Sequence, residues 1–364
     1  MAHGAAAVII PAMQGLELSR RYFFDHGLPL LRRRYGEELC RRVAAGLLSG
    51  SGNTGGGSDV AGFDDEISRD HNWGPRFFLL LDPRDMAECG AEIQRYLDEN
   101  LPEECCGFTL NRTSFPPNKC YVTTPRQNAL DNTGFASAPA SDLDWITIPE
   151  HRLFEYTCGT IYYEPSPLIT PVRQGFTYFP DEVRLKRLGF AFFALMLGSN
   201  GFRTARRGNV VSTQMFIAWM MECMMRIMFL ARGRYAPHRK WLYHAFRQLP
   251  GVPQSMPSRM EALAAHLDLA TVESQVLDLF ADVVEAVNAL GLCEPFAVDF
   301  RRQYRFGALN HHAFAILGAL EARLTGPLRG KPHEGPLDLW CANFMGLTTG
   351  MLKSVWDTGA ARPA

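Results

Sequence analysis

Apolar positions at Leu16, Tyr22, Phe23, Leu30, Leu31 and Leu39, set among arginines, predict helix over 16–46, broken at Gly27-Leu28-Pro29. "RVAAGLLSG" predicts a short strand running into a glycine-rich loop. "PRFFLLLD" is an apolar run of strand length and predicts a buried strand. "PRDMAECGAEIQRYLDENL" predicts a helix with acids near its start and Met86, Ile93 and Leu97 on its apolar face. "KCYVTT" predicts another strand, and "RQNALDNTGFASAPASD" a loop, being rich in small and turn-forming residues. "RLFEYTCGTIYYEP" shows two β-prone pieces around Cys158-Gly159, as a bent strand or a hairpin would.

From Pro180 the period changes to that of helices. "DEVRLKRLGFAFFALML", "MFIAWMMECMMRIMFLA", "KWLYHAF", "EALAAHLDLATVESQVLDLFADVVEAVNAL" and "HHAFAILGALEARL" all fit it. The pattern therefore predicts an α+β chain: an α/β domain over 1–175, then a helical bundle over 176–364, with a frayed tail at "TGAARPA".

The 364 residues are 47% hydrophobic, enough for two cores, and the formal net charge is −1. That balance argues against nonspecific nucleic-acid binding, although local basic clusters leave room for a small RNA partner. Nine cysteines without a CxxC pair fit reduced thiols and a cytoplasmic protein better than a disulfide framework or a zinc ribbon. "MAHGAAAVIIPAM" lacks the basic start of a signal peptide. The Met-rich run carries Glu222 and Arg226 at i,i+4, which suits an ion pair on a buried core helix better than a membrane span. Its methionines read as core filling, not as a metal site.

The candidate chemistry lies in "GSGNTGGGSDVAGFDDEISRDHNWGPR", residues 50–76. "GSGNTG" matches the dinucleotide fingerprint by letter, but more glycines and acids follow where a helix must start. A P-loop needs Gly-Lys-Ser/Thr, and no lysine occurs between Arg42 and Lys119. A calcium loop over Asp59–Asp70 lacks the ligand spacing. Asp59, Asp64, Asp65, Glu66 and Asp70 would repel phosphate unless a cation lies between, and Mg²⁺ held by carboxylates supplies that charge. Two such ions can clamp the attacking and leaving oxygens of an in-line displacement.

Gly57-Ser58, followed after a short interval by Asp70-His71-Asn72-Trp73, resembles the polymerase-β-like nucleotidyltransferases. Those carry Gly-Ser at a turn, then Asp-x-Asp/Glu beside a strand, then a further acid on a later strand. The string "GSDVAGFDDEISRDHNWGPR" is similar to a bacterial nucleotidyltransferase-like family of unknown function. The likeness extends through "DWITIPEHRLFEYTCGTIYYEP", "YFPDEV" and "RYAPHRKWLYHAF".

The resemblance implies transfer of a nucleoside monophosphate from ATP or another NTP, with Mg²⁺, to an acceptor hydroxyl on a small molecule, an RNA or a protein. Gly57 and Ser58 would hold phosphate, and Asp70 with Glu155 would carry the chemistry. Asp70, Asn72, Glu155, Asp64 and Asp65 form the metal set, and Lys240 reaches the triphosphate; apart from the resemblance, Arg203 with Arg206 and Arg207 in "RTARRGN" suits a phosphate clamp, since arginine reads phosphate bidentately. The chain departs from the pattern at Asn72, where a second acid is expected, and at Glu164 and Asn209, where the family carries aspartate. A second register, Gly50-Ser51 with Asp64-Asp65-Glu66, restores the acid pair, and the later acid is either Glu155 or Glu164. Each candidate also has an ordinary reading: Glu155 as an exposed strand edge, Glu164 as a turn residue, His71 as a core histidine and "RTARRGN" as a solvated loop. His311-His312 are adjacent on a helical pattern, so they diverge by about 100° and do not share a metal. Arg239 and Lys240 sit beside Tyr235 and Trp241, either of which could stack on a base. The competing reading is a nucleotide-binding or protein-interaction module that has lost catalysis.

Overall fold

A computed structural model describes residues 13–50, 57–70, 72–110, 119–292, 294–299, 307–331 and 349. Ser51, His71 and the C-terminal tail lie outside the described residues. The chain is a mixed α and β protein, mostly helical, with a small mixed sheet. It divides into two compact units, 1–138 with 155–177, and 139–154 with 178–364. Residues 139–154 therefore pack with the helical half, not with the preceding sheet-bearing segment to which the sequence pattern assigned them.

In the first unit α1 (Gly15–Tyr22) passes through a π-helical turn, Phe23–Gly27, into α2 (Leu28–Cys40). The break expected at Gly27-Leu28-Pro29 takes the form of that π-helical turn, which ends at Gly27, and the chain stays helical through Pro29. A second irregularity comes at Gly36, with φ of +80°.

Strands β1 (Ala44–Leu47) and β2 (Phe77–Leu80) are buried along their whole length. Their alternation divides the side chains between two cores. Ala45, Phe77 and Leu79 join Leu18, Phe23 and Leu31 on the helix side, while Ala44, Phe78 and Leu80 meet Leu48 and Ile169 on the other. Full burial of each large side chain contributes about 1.5–3 kcal/mol.

α3 (Pro83–Asn100) is capped by Asp82, which accepts the Asp85 N–H at 2.8 Å. A small hairpin, β3 (Glu104–Cys105) and β4 (Phe108–Thr109), precedes β5 (Cys120–Thr123). The stretch read as a loop, 126–142, is helical over most of α4 (Pro125–Thr133) and ends where α5 (Asp142–Trp145) begins. Thr124 and Ser141 cap their starts, and small polar residues between caps were mistaken for a loop.

The bent strand expected over 152–163 is half wrong. α6 (Glu150–Cys158) is helical up to Gly159, and only β6 (Thr160–Tyr163) is extended. α7 (Thr170–Gln174) completes the first unit, whereas α5 and the start of α6 belong to the second. The sheet order is β5-β2-β1-β6, with β1 antiparallel to β2 and β6, and β2 parallel to β5. Gly46 lets β6 approach, since an added Cβ would lie 2.4 Å from the Thr160 carbonyl oxygen.

Among the described residues the second unit is helical: α8 (Asp181–Gly198), α9 (Asn200–Arg206), α10 (Val210–Ala231), α11 (Arg239–Arg247), α12 (Ser255–Ala265), α13 (Val272–Asn288) and α14 (Ala308–Arg323). α8 packs on α10 and α14, and α10 also meets α9, α11 and α13. α10 is long and apolar enough to cross a membrane, but two-thirds of its most apolar window is buried by the protein itself. Glu222 and Arg226 pair on it as the spacing predicts, with two nitrogens 3.1 Å from Glu222 Oε1.

Candidate functional site

The segment between β1 and β2 begins and ends at one end of the sheet. β1 leaves at Leu47, opposite Thr160 of β6, and β2 starts at Phe77, opposite Cys120 of β5. β6 therefore enters the sheet where the glycine and acid segment is attached. Glu155 lies one turn before that entry, on the last turns of α6 and not on a strand. The turn there is tight: a Cβ on Gly159 would lie 2.9 Å from the Leu47 carbonyl oxygen. Glu164 follows β6 at its exit, where Tyr163 pairs with Ala45 at the start of β1. The two glutamates thus belong to opposite ends of strands about 10 Å long.

Glu164 is also committed to structure. Its Oε1 accepts the N–H groups of Leu168, Ile169 and Thr170 at 2.6, 2.7 and 3.0 Å, and Oε2 accepts the Thr170 hydroxyl. Burial alone would raise its pKa. The Thr170 hydroxyl and the three N–H groups at the start of α7 outweigh burial and lower it. As the later-strand acid of a metal site, Glu164 is set aside on both grounds.

The acids of the loop take different positions. Asp59 is buried against Arg76, with Oδ2 2.8 Å from Nη1 and Oδ1 accepting Nη2 at 3.0 Å and the Val60 N–H at 2.9 Å. Burial pushes the Asp59 carboxyl up against the pull of Arg76, and nearby Asp64 adds to the rise. Asp64 Oδ2 accepts the Gly15 N–H and Trp73 Nε1–H, each at 2.8 Å, which puts a carboxylate on the N-terminus of α1. Its Oδ1 is buried with no hydrogen-bond donor. Asp65 Oδ1 accepts the Ser68 N–H and hydroxyl at 2.9 Å and starts a 3₁₀ turn, Ile67–Asp70.

Asp70 closes that turn with an exposed side chain. Asn72 is half-buried and left-handed, with φ of +50°, a conformation that asparagine and aspartate both tolerate. Gly57 and Ser58 are half-buried, and the Ser58 carbonyl accepts the Phe63 N–H at 2.9 Å. A Cβ on Gly57 would lie 2.4 Å from Asp59 Oδ1 and 2.6 Å from the Asn72 carbonyl oxygen. Gly57 and Asn72 are thereby brought together, and the glycine is required for that approach. Arg69 lies over the rings of Trp73 and Phe108, at 4.8 and 5.2 Å, so it braces the acid turn from behind.

In the helical unit Arg203 is exposed on α9, which replaces the loop read over "RTARRGN". Arg206 on the same helix pairs with Glu273 at 2.6 Å. Lys240 is exposed at the start of α11, its Nζ 5.2 Å from the Trp241 ring centre. Tyr235 is buried against Tyr178 and Phe179 and has no face to offer a base. Asn209 caps α10 through the Ser212 N–H at 3.1 Å. His311 is exposed while His312 is buried between Phe280 and Phe296, so the pair diverges.

The sequence pattern did not reveal that Glu222 and Arg226 belong to a larger buried network. Arg226 also lies 3.7 Å from Glu150 Oε2, Glu150 Oε1 accepts the Ala236 N–H at 3.0 Å, and Arg239 pairs with Glu222. The one signal was the i,i+4 pair inside an apolar helix, since buried charges require partners.

Residues 145–242 match the family described as Domain of unknown function (DUF4037). That span carries Glu150, Glu155, Glu222 and Arg226, with Arg203 and Lys240, but not the glycine and acid segment. The chain has no significant match among curated proteins or solved structures.

Proposed function

We propose that the first unit is a polymerase-β-like nucleotidyltransferase domain and that the helices after it form a bundle. The proposed reaction moves a nucleoside monophosphate from ATP or another NTP to an acceptor hydroxyl and releases pyrophosphate. The observation that carries this reading is the shared sheet end. The Gly57-Ser58 turn, the Asp70 turn and the Glu155 end of α6 all feed the same end of β1, β2 and β6.

Among the described residues no three His, Cys, Asp or Glu side chains gather as a metal site. Mg²⁺ is commonly held by only one or two carboxylates plus substrate phosphates, so the pair Asp70 and Glu155 fits its donor chemistry. When bound, Mg²⁺ supplies the positive charge that phosphate needs beside so many acids. Asp70 and Glu155 would hold the ion, and Asn72 would offer a neutral oxygen. The backbone at Gly57 and the Ser58 hydroxyl bind phosphate, and Glu155 takes the proton of the acceptor hydroxyl.

A second reading, a nucleotide-binding or protein-interaction module with weakened catalysis, is favoured by specific observations. Asn72 lacks the charge of a carboxylate, and Asp59, Asp64 and Asp65 already serve Arg76, α1 and the 3₁₀ turn. Calorimetry of the whole chain with ATP, with and without Mg²⁺, tests both readings. Mg²⁺-dependent binding that Asp70→Asn abolishes supports nucleotide chemistry, and equal heats in wild type and variant refute it. Release of pyrophosphate with candidate acceptors then separates enzyme from module.

A further inference from the structure

The β3–β4 hairpin turns on two residues, Cys106 and Gly107, with φ of +54° and +80°. Two successive left-handed residues suit the mirror-image turn, which favours Asn-Gly, Asp-Gly or Gly-Gly. Cysteine has no such preference, and a left-handed non-glycine residue carries a conformational penalty. Strain of this kind marks a position held for its side chain. The side chain in question is a thiol, and its neighbour is another: Cys105 Sγ and Cys106 Sγ lie 3.6 Å apart.

The two thiols differ in setting. Cys106 is exposed, with the Arg21 guanidinium beside it. Cys105 is buried in the core beside Phe108, and burial, then the Cys106 thiol, pushes its pKa up to about 12. One thiol meets solutes while the other waits beneath it in contact.

We propose that Cys105 and Cys106 are a reversible dithiol–disulfide site, oxidised by low-molecular-weight disulfides. The Cys106 thiolate attacks one sulfur of the small disulfide. The S–S bond breaks, a mixed disulfide forms on Cys106, and the first small thiolate leaves and takes a proton. Cys105 then loses its proton to solvent, and its sulfur attacks Cys106 Sγ. The mixed disulfide breaks and the second small thiolate leaves. The protein dithiol is oxidised by two electrons, and one small disulfide is reduced to two thiols. Adjacent Cα atoms stand about 3.8 Å apart, closer than the roughly 4.4–6.8 Å usual for disulfides, so the closed pair is strained and easily reduced. That property suits a reversible site and not a structural bridge.

The test treats the whole chain with oxidised glutathione, blocks remaining thiols with N-ethylmaleimide, and maps peptides by mass spectrometry. The peptide holding both cysteines is expected to lose two hydrogens, to carry neither glutathione nor maleimide, and to recover both thiols with dithiothreitol. Cys105→Ser is expected to trap glutathione on Cys106, and Cys106→Asn, which suits the turn, to leave Cys105 unmodified. The proposal is overturned if wild type keeps glutathione on Cys106 as Cys105→Ser does. It is overturned equally if both cysteines alkylate as fully as in untreated protein, or if either one pairs with Cys89 or another cysteine.

Discussion

Asp64 and Gly15, 49 residues apart, meet at the first turn of α1, where Asp64 Oδ2 accepts the Gly15 N–H at 2.8 Å. The same oxygen accepts Trp73 Nε1–H, so one carboxylate ties the acid segment to the first helix. Gly15 must be glycine there, because a Cβ would lie 2.5 Å from Asp59 Cβ. Asp64→Ala should destabilise the fold by about 2 kcal/mol through loss of a helix cap and a charged hydrogen bond. Urea unfolding checks this, and the loss should be the same with Mg²⁺ or with a chelator. A loss present only with Mg²⁺ would make Asp64 a ligand first and a cap second.

Glu164→Gln tests the opposite end of the sheet. The folded-state pKa of Glu164 is lowered, so its stabilisation is complete above the unfolded value of about 4.3 and disappears as pH falls through the lower folded value. The wild type should therefore exceed the variant in thermal midpoint at neutral pH, and the gap should close in strong acid. At neutral pH the cap is worth about 1 kcal/mol. An equal gap at every pH would remove the charge from the explanation.

Much of the first unit was legible because its strands are short apolar runs between turn residues. β1, β2 and β5, and the helix over 83–100, came directly from pattern. Residues 150–158 did not, because Phe154, Tyr156 and Thr157 have strand preferences that burial in a helix overrides. That error moved Glu155 onto a strand. Nor does the sequence distinguish Glu155 from Glu164, since only the direction of β6 sends them to opposite ends. The acids were legible as a group, but their division was not. Arg76, Gly15 and Trp73, which take Asp59 and Asp64 out of solvent, are partners that only the folded chain brings together.

The ionic network of the helical unit should be strongly coupled. Arg226 is buried and serves both Glu222 and Glu150, so Arg226→Met leaves two buried carboxylates with a shared cation removed. A loss of about 3–5 kcal/mol is expected, while Arg226→Met with Glu222→Met should recover part of it. A double-mutant cycle by urea unfolding measures the coupling, and simple additivity would show that the pair is incidental.

Asn72 decides how far the proposed chemistry survives. It follows the Asp70 turn by two residues, its carbonyl oxygen lies where a Cβ on Gly57 would be, and its φ is +50°. Aspartate accepts that backbone as readily as asparagine does, so Asn72→Asp should fold unchanged. It adds one negative charge and one anionic ligand oxygen beside an exposed carboxylate. Both changes favour a divalent cation, whose affinity rises with the charge of its ligands. Asn72→Asp should therefore tighten Mg²⁺-dependent ATP binding about tenfold, corresponding to about 1.4 kcal/mol. Asp70→Asn should abolish the dependence in either background. Titration of the three variants and wild type with Mg²⁺ at fixed ATP reads both effects. If neither substitution shifts the metal dependence, the segment is a folded turn held by Asp59, Asp64 and Asp65, and the chemistry lies elsewhere.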